Sequence, residues 1–131
     1  MPHIIVEYSA NLDEDADLDG LLDKLHEAAV GCGMFPLGGL RVRAARRDRY
    51  RIADLDAANA FCHVTLRVGH GRPLDARKIV CAGLFDVLCE HMQSVYDTRP
   101  LSLSLEMQEI DPELSFKKNN IHERLRASGS V

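Results

Sequence analysis

Leu101, Leu103, Leu105 and Met107 alternate with Ser102, Ser104, Glu106 and Gln108. Successive side chains on a strand point to opposite faces, so this stretch predicts a strand that is apolar on one side and polar on the other. Three weaker alternations precede it. His3 to Tyr8 places Ile4, Val6 and Tyr8 on one face and His3, Ile5 and Glu7 on the other. From Leu40, the apolar Leu40, Val42 and Ala44 alternate with Arg41 and Arg43, and Phe61 to Val68 aligns Cys62, Val64, Leu66 and Val68. Between the members of each pair the period becomes helical. Leu18, Leu21, Leu22, Leu25, Ala29 and Cys32 form one stripe, closed by Gly31 and Gly33. Ala76, Ile79, Val80, Gly83, Val87, Leu88 and Val95 form the other, with Pro73 placed to open the helix at its first position.

The order is β-α-β, then β-α-β again. Right-handed crossovers in both units give an α+β fold, a four-stranded sheet with two helices on one face. The halves also echo each other: Leu21 to Glu27 aligns with Leu84 to Glu90, and His3 to Val6 loosely with His63 to Leu66. This predicts a single domain, 1–131, with a tandem repeat over about 2–50 and 60–109 and a tail over 110–131. The sheet face away from the helices would carry Ile5 and Phe61 uncovered, which predicts subunit association. In the tail, Leu114 to Asn120 reads as a loop, Ile121 to Arg126 as a helical turn, and Ala127 to Val131 as a fraying end.

Composition narrows the function. A chain of 131 residues with net charge -4 and mixed signs does not suit a general nucleic-acid or membrane-surface binder. The run Arg46, Arg47, Arg49 and Arg51 is interrupted by Asp48 and followed by Asp54, with only Tyr50 as an aromatic; it reads as an exposed charged segment. No apolar run is long enough to span a bilayer, and Met1 to Ala10 lacks the basic start and apolar core of a leader, so a cytoplasmic protein is expected. Cys32, Cys62, Cys81 and Cys89 form no C-x-x-C pair and read as buried free thiols. The six histidines, His63, His70 and His91 among them, show no metal-binding spacing.

Three features carry possible chemistry. The first is Pro2, set directly before the first strand. Removal of Met1 would leave its nitrogen a free secondary amine. A free α-amine titrates at about 7.7–8.0, and burial or nearby cations lower that value by disfavouring the charged form. Such an amine is a usable general base near pH 7. The second is the arginine face of the second strand, Arg41 and Arg43; alone it reads as a solvated face. The third is Arg72, within Gly69-His70-Gly71-Arg72-Pro73 at an expected helix N-terminus, where free N–H groups favour anions.

Four blocks together resemble the 5-carboxymethyl-2-hydroxymuconate isomerases of the tautomerase superfamily. They are Met1 to Glu7, Gly33 to Arg43, Gly69 to Arg72, and Leu114 to His122, so the likeness runs from Pro2 to about Leu125. The resemblance implies a tautomerase-like homotrimer that uses no cofactor and no metal. It implies a cofactor-free isomerase acting on a small carboxylate substrate in homoprotocatechuate breakdown, which converts a 2-hydroxy-diene tricarboxylate into its 2-oxo-3-ene isomer. Carried over by position, Pro2 would be the catalytic base. Arg41 and Arg72 would hold carboxylates or the 2-oxo group, and Arg43, Phe116 and Asn119 would contribute to substrate binding. Pro73 departs from the polar residue usual after Arg72. Two other readings share these residues: a tautomerase of another enol acid, and a trimeric binding protein with a relic pocket.

Overall fold

The alternations form strands and the stripes form helices, in the expected order. The computed structural model describes residues 2–129. Its elements are β1 (His3–Ser9), α1 (Leu18–Gly31), β2 (Arg41–Arg47), β3 (Ala60–Gly69), α2 (Leu74–Tyr96), β4 (Leu101–Ile110) and α3 (Ile121–Ala127). Short 3₁₀ turns lie at Ala10–Leu12 and Leu37–Gly39. The strands are ordered β2-β1-β3-β4, parallel within each β-α-β unit and antiparallel where β1 meets β3.

The core lies between one sheet face and the two long helices. Leu21, Leu25 and Ala29 of α1 and Val80, Leu84, Leu88, Met92 and Val95 of α2 are buried with Ile4, Val6, Cys62, Val64 and Leu66. Each fully buried Val, Leu, Ile or Met side chain contributes about 1.5–3 kcal/mol. The buried positions 21, 25 and 29 correspond to 84, 88 and 92, so the two helices present equivalent ridges to the sheet.

The stripe expected on α2 needs correction. Val80, Leu88 and Val95 are buried, but Ile79 is 73% exposed and Gly83 is exposed, while Leu84 and Met92 take the inward places. Apolar residues surround this helix, so periodicity alone does not choose its phase; contact with the sheet selects the i, i+4 series from Val80. Pro73 sits one place earlier than expected, as the N-cap. Arg46 and Arg47 belong to β2 rather than to the loop after it.

The cysteines also divide. Only Cys62 is buried, and burial pushes its thiol up to about 12. Cys81 and Cys89 are half-buried, and Cys32 is exposed at the end of α1, with its thiol directed at the Ala29 carbonyl. Among the described residues no three His, Cys, Asp or Glu side chains cluster as a metal site, and no helix is long and apolar enough to cross a membrane.

The face opposite the helices carries half-buried Ile5 and Phe61, as expected. Tyr50, from the loop after β2, packs edge-on against Phe61 with ring centroids 6.3 Å apart. Arg99 anchors that loop by donating to the Ala58 carbonyl at 2.9 Å and to the Asn11 carbonyl at 2.9 Å.

The tail returns to the start of β2. The Asn119 side-chain amide donates to the Gly38 carbonyl at 2.8 Å, and Leu125 of α3 is buried. Gly38 is itself buried, and a Cβ there would lie 2.5 Å from Nδ1 of His122. Gly38→Ala should therefore displace the His122 ring and loosen the tail, lowering stability by about 1–3 kcal/mol. Limited proteolysis and urea melts check this; an unchanged midpoint with a protected tail would show that the ring yields at no cost. The helix continues through Ala127 where fraying was expected, and Ser130 and Val131 lie outside the described residues.

Candidate active site

The four blocks that are separate in sequence meet at one end of the sheet. Pro2 is fully buried there, and its carbonyl accepts from the Arg41 N–H at 3.1 Å. That bond joins the first block to the second. Arg72 joins the second to the third: its guanidinium donates to the Gly69 carbonyl at 3.0 Å and the Met34 carbonyl at 3.2 Å, and lies 5.4 Å from the Phe35 ring centroid. Asn119 and His122 join the fourth block to Gly38.

An open cavity of about 570 Å³ lies at this end, walled by His3, Arg41, Arg67, Gly69, His70 and Ile110 and by the tail from Pro112 to Lys117. Among the described residues, three cations line it and no carboxylate does. Two other cavities differ in this respect. The one between α2 and β4, about 360 Å³, is lined by Phe85, Cys89, Gln93, Tyr96 and Leu101–Leu103, with no charged group. The one between α1 and α2 mixes Lys24 with Glu27 and Glu90. Charge therefore singles out the cavity beside Pro2 as an anion site.

The register explains the cation cluster. His3 stands opposite Arg41 on β2 and opposite Arg67 on β3, so all three project from the face away from the helices. The Arg41 guanidinium lies 3.1 Å from Nε2 of His3, and that of Arg43 lies 3.2 Å from Nδ1. A neutral imidazole has one acceptor nitrogen, so it can satisfy one of these donors at a time; a protonated ring can satisfy neither. Burial first, then Arg41, Arg43 and Arg67, hold the His3 pKa below its ordinary 6.5. The sign follows. The folded ring binds a proton less readily than the unfolded one, so stability falls as pH drops below about 6.5 and this contribution is intact above it. His3→Gln should flatten that slope in urea midpoints measured between pH 7.5 and 5.5; an unaltered slope would place the titration elsewhere.

Of the residues expected from sequence, Arg41 and Phe116 line the cavity, and Pro2 is the residue before its His3 wall. Arg43 lies beside it, against the far side of His3. Phe116 is 95% exposed at the rim. Arg72 and Asn119 do not line it. The Arg72 guanidinium is bound to carbonyls, and the Asn119 side chain bridges the Gly38 carbonyl and the Ile121 N–H. In the turn before α2, the chain's own Glu109 accepts from the Gly71 N–H at 3.3 Å and lies 3.7 Å from Arg77.

His3, Arg67 and Lys117 were not among the expected residues. A signal for Arg67 was present: alternation in β3 puts it on the face opposite Cys62, Val64 and Leu66. That His3 and Arg41 share its row depends on strand pairing, which periodicity does not reveal.

Comparisons with known proteins identify the relatives of this chain. A family profile for 5-carboxymethyl-2-hydroxymuconate isomerase matches residues 2–125. The 5-carboxymethyl-2-hydroxymuconate Delta-isomerase of Escherichia coli is 41% identical over 122 residues, covering 93% of this chain and 97% of that protein. The crystal structure of a 5-carboxymethyl-2-hydroxymuconate isomerase from Deinococcus radiodurans R1 superposes with a TM-score of 0.90 at 38% identity, covering 95% of this chain and 94% of the other. A member of the cis-3-chloroacrylic acid dehalogenase family, N1, shares the fold at a TM-score of 0.63 and 13% identity, covering 88% of this chain and 79% of that one. The chain therefore belongs to the 5-carboxymethyl-2-hydroxymuconate isomerase family, and it is an isomerase.

Proposed function

We propose that this isomerase converts 5-carboxymethyl-2-hydroxymuconate, or a dienol acid of that class, into its 2-oxo-3-ene isomer in homoprotocatechuate degradation. The observation that carries the reading is a cavity beside Pro2 lined by Arg41, Arg67 and Lys117, with no acid in its walls among the described residues. A tricarboxylate is drawn to such a surface, and a neutral substrate is not.

The chemistry requires the 2-hydroxyl proton to leave oxygen and a proton to arrive at C5. The C2–O bond becomes a carbonyl and the double bonds shift, so atoms and electrons balance without any other reactant. One group that takes and returns a proton is sufficient. The Pro2 nitrogen fills this role once Met1 is removed; Met1 lies outside the described residues. The cations near Pro2 favour its neutral form and stabilise the developing negative charge on the dienolate. Arg41 holds the 2-oxygen and its neighbouring carboxylate. Arg72 acts through the turn, keeping Gly69 in the cavity wall and binding it to the Met34 segment. Asn119 acts similarly through the tail, Arg43 backs His3, and Phe116 covers the substrate at the rim.

A homotrimer belongs to the same proposal. Leu114 is 79% exposed and Phe116 95% exposed on the tail, and on the sheet face away from the helices Ile5 and Phe61 are half-buried, with Tyr50 packed against Phe61. Ultraviolet assays with 5-carboxymethyl-2-hydroxymuconate test the reaction, paired with intact mass to establish removal of Met1. Protein that lacks Met1 and ketonises neither this compound nor 2-hydroxymuconate above the buffer rate would refute the substrate assignment.

A further inference from the structure

Arg67 is the arginine of the inner strand β3, and it lines the cavity. Arg46, Arg47, Arg77 and Arg99 each meet a carboxylate, and Arg72 meets carbonyls. Among the described residues Arg67 has no hydrogen bond and no ion pair, although it lies in a wall of the cavity. The nearest acids on β4 are already engaged. Glu106 accepts from Nε2 of His63 at 3.0 Å, and Glu109 meets Gly71 and Arg77. The residue opposite Arg67 on β4 is Gln108, so the row across the sheet reads Arg41, His3, Arg67, Gln108 and contains no acid. Arg67 is exposed, so water solvates its guanidinium, but the summed potential of the three cations that line the cavity favours a bound anion.

Position distinguishes the three cations. Arg41 is on edge strand β2 and Lys117 is on the tail, so both stand at margins of the cavity. Arg67 is on β3, inside the sheet, two strand spacings or about 10 Å from Arg41. Marginal cations suit the two ends of a linear dicarboxylate. A cation in the floor suits a group that branches from the middle of the chain. The dienol acids of the proposed reading differ in this feature: the carboxymethyl arm adds a third carboxylate as a branch.

We infer that Arg67 is the specificity-determining residue that binds this branch carboxylate, so that the cavity prefers branched tricarboxylates to linear dicarboxylates. The inference rests on the proposed dienol-acid reading for its substrate, but its test does not require turnover. Titration calorimetry on the assembled protein would compare propane-1,2,3-tricarboxylate with pentanedioate, neither of which reacts. The wild type should bind the tricarboxylate more tightly. Arg67→Gln should weaken the tricarboxylate about 10–100-fold, the range for a lost charged hydrogen bond, and the dicarboxylate only severalfold. Arg67→Lys should restore part of the difference, since it returns the charge but not the planar fork. In turnover, Arg67→Gln should lower the ratio of kcat/KM for the carboxymethyl substrate over 2-hydroxymuconate by a similar factor. Equal losses for both anions in folded Arg67→Gln would overturn the inference, as would a loss of selectivity in Lys117→Gln that Arg67→Gln lacks. A change of oligomeric state with unchanged selectivity would also overturn it, by assigning Arg67 to a contact between copies. Selectivity that depends on Arg67 in a protein that ketonises neither dienol would sink the reaction and leave the anion site.

Discussion

Pro2→Ala is expected to lower kcat on 5-carboxymethyl-2-hydroxymuconate by about 10²–10⁴-fold, the usual contribution of a positioned general base. The variant keeps its fold, because β1 is held by backbone pairing to β2 and β3, and the Pro2 carbonyl that accepts from Arg41 remains. A protein that retains Met1 should show the same defect for a different reason: its proline nitrogen is an amide and has no basicity. Ultraviolet progress curves, circular dichroism and intact mass on both proteins check the pair. Turnover within threefold of wild type in folded Pro2→Ala would remove the ring nitrogen from the chemistry.

Arg41→Ala is expected to lower kcat by about 10²–10³-fold, the cost of removing one donor from a developing oxyanion. It also raises KM, because a carboxylate anchor is lost. Arg41→Lys recovers only part of this, since a point charge cannot reproduce two parallel hydrogen bonds. The pH profile supplies a readout that a purely structural defect would not move. A cation near Pro2 disfavours its protonated form, so removing that cation raises its pKa. The acidic limb of kcat/KM against pH should then shift upward in Arg41→Ala. A profile with unchanged limbs and an unchanged kcat would reduce Arg41 to a wall residue that aligns His3.

His3 links these two predictions. It follows Pro2 in the chain and touches Arg41 and Arg43 with its two ring nitrogens. Its lowered pKa follows from burial and from the surrounding arginines, so the ring stays neutral over the range in which a proline base would operate. A neutral ring adds no further charge and leaves one acceptor to orient a guanidinium.

Much of the fold is legible in the chain itself. Period-two stretches such as Leu101 to Gln108 and helical stripes such as Leu18 to Ala29 are local consequences of side-chain geometry. They set the number, kind and order of the main elements. Pro2, Arg41 and Arg72 stand out for a related reason: an unusual residue type at a strand start, a strand face or a glycine turn is visible without any partner.

Packing decided what local pattern could not. The phase of α2 was ambiguous because Ile79 and Leu84 are equally apolar, and only contact with the sheet turned Leu84 inward. Arg72 reads as an anion ligand in sequence, yet the fold brings the Gly69 and Met34 carbonyls to it and sets Glu109 against the neighbouring Gly71 N–H. Arg41, His3 and Arg67 are far apart in the chain and become one row only through the pairing of β1 with both β2 and β3. The sequence by itself determined which residues alternate, and therefore which face each could occupy. The tertiary structure alone decided which of them share a row, because strand register is a property of pairs of segments and no single segment contains it.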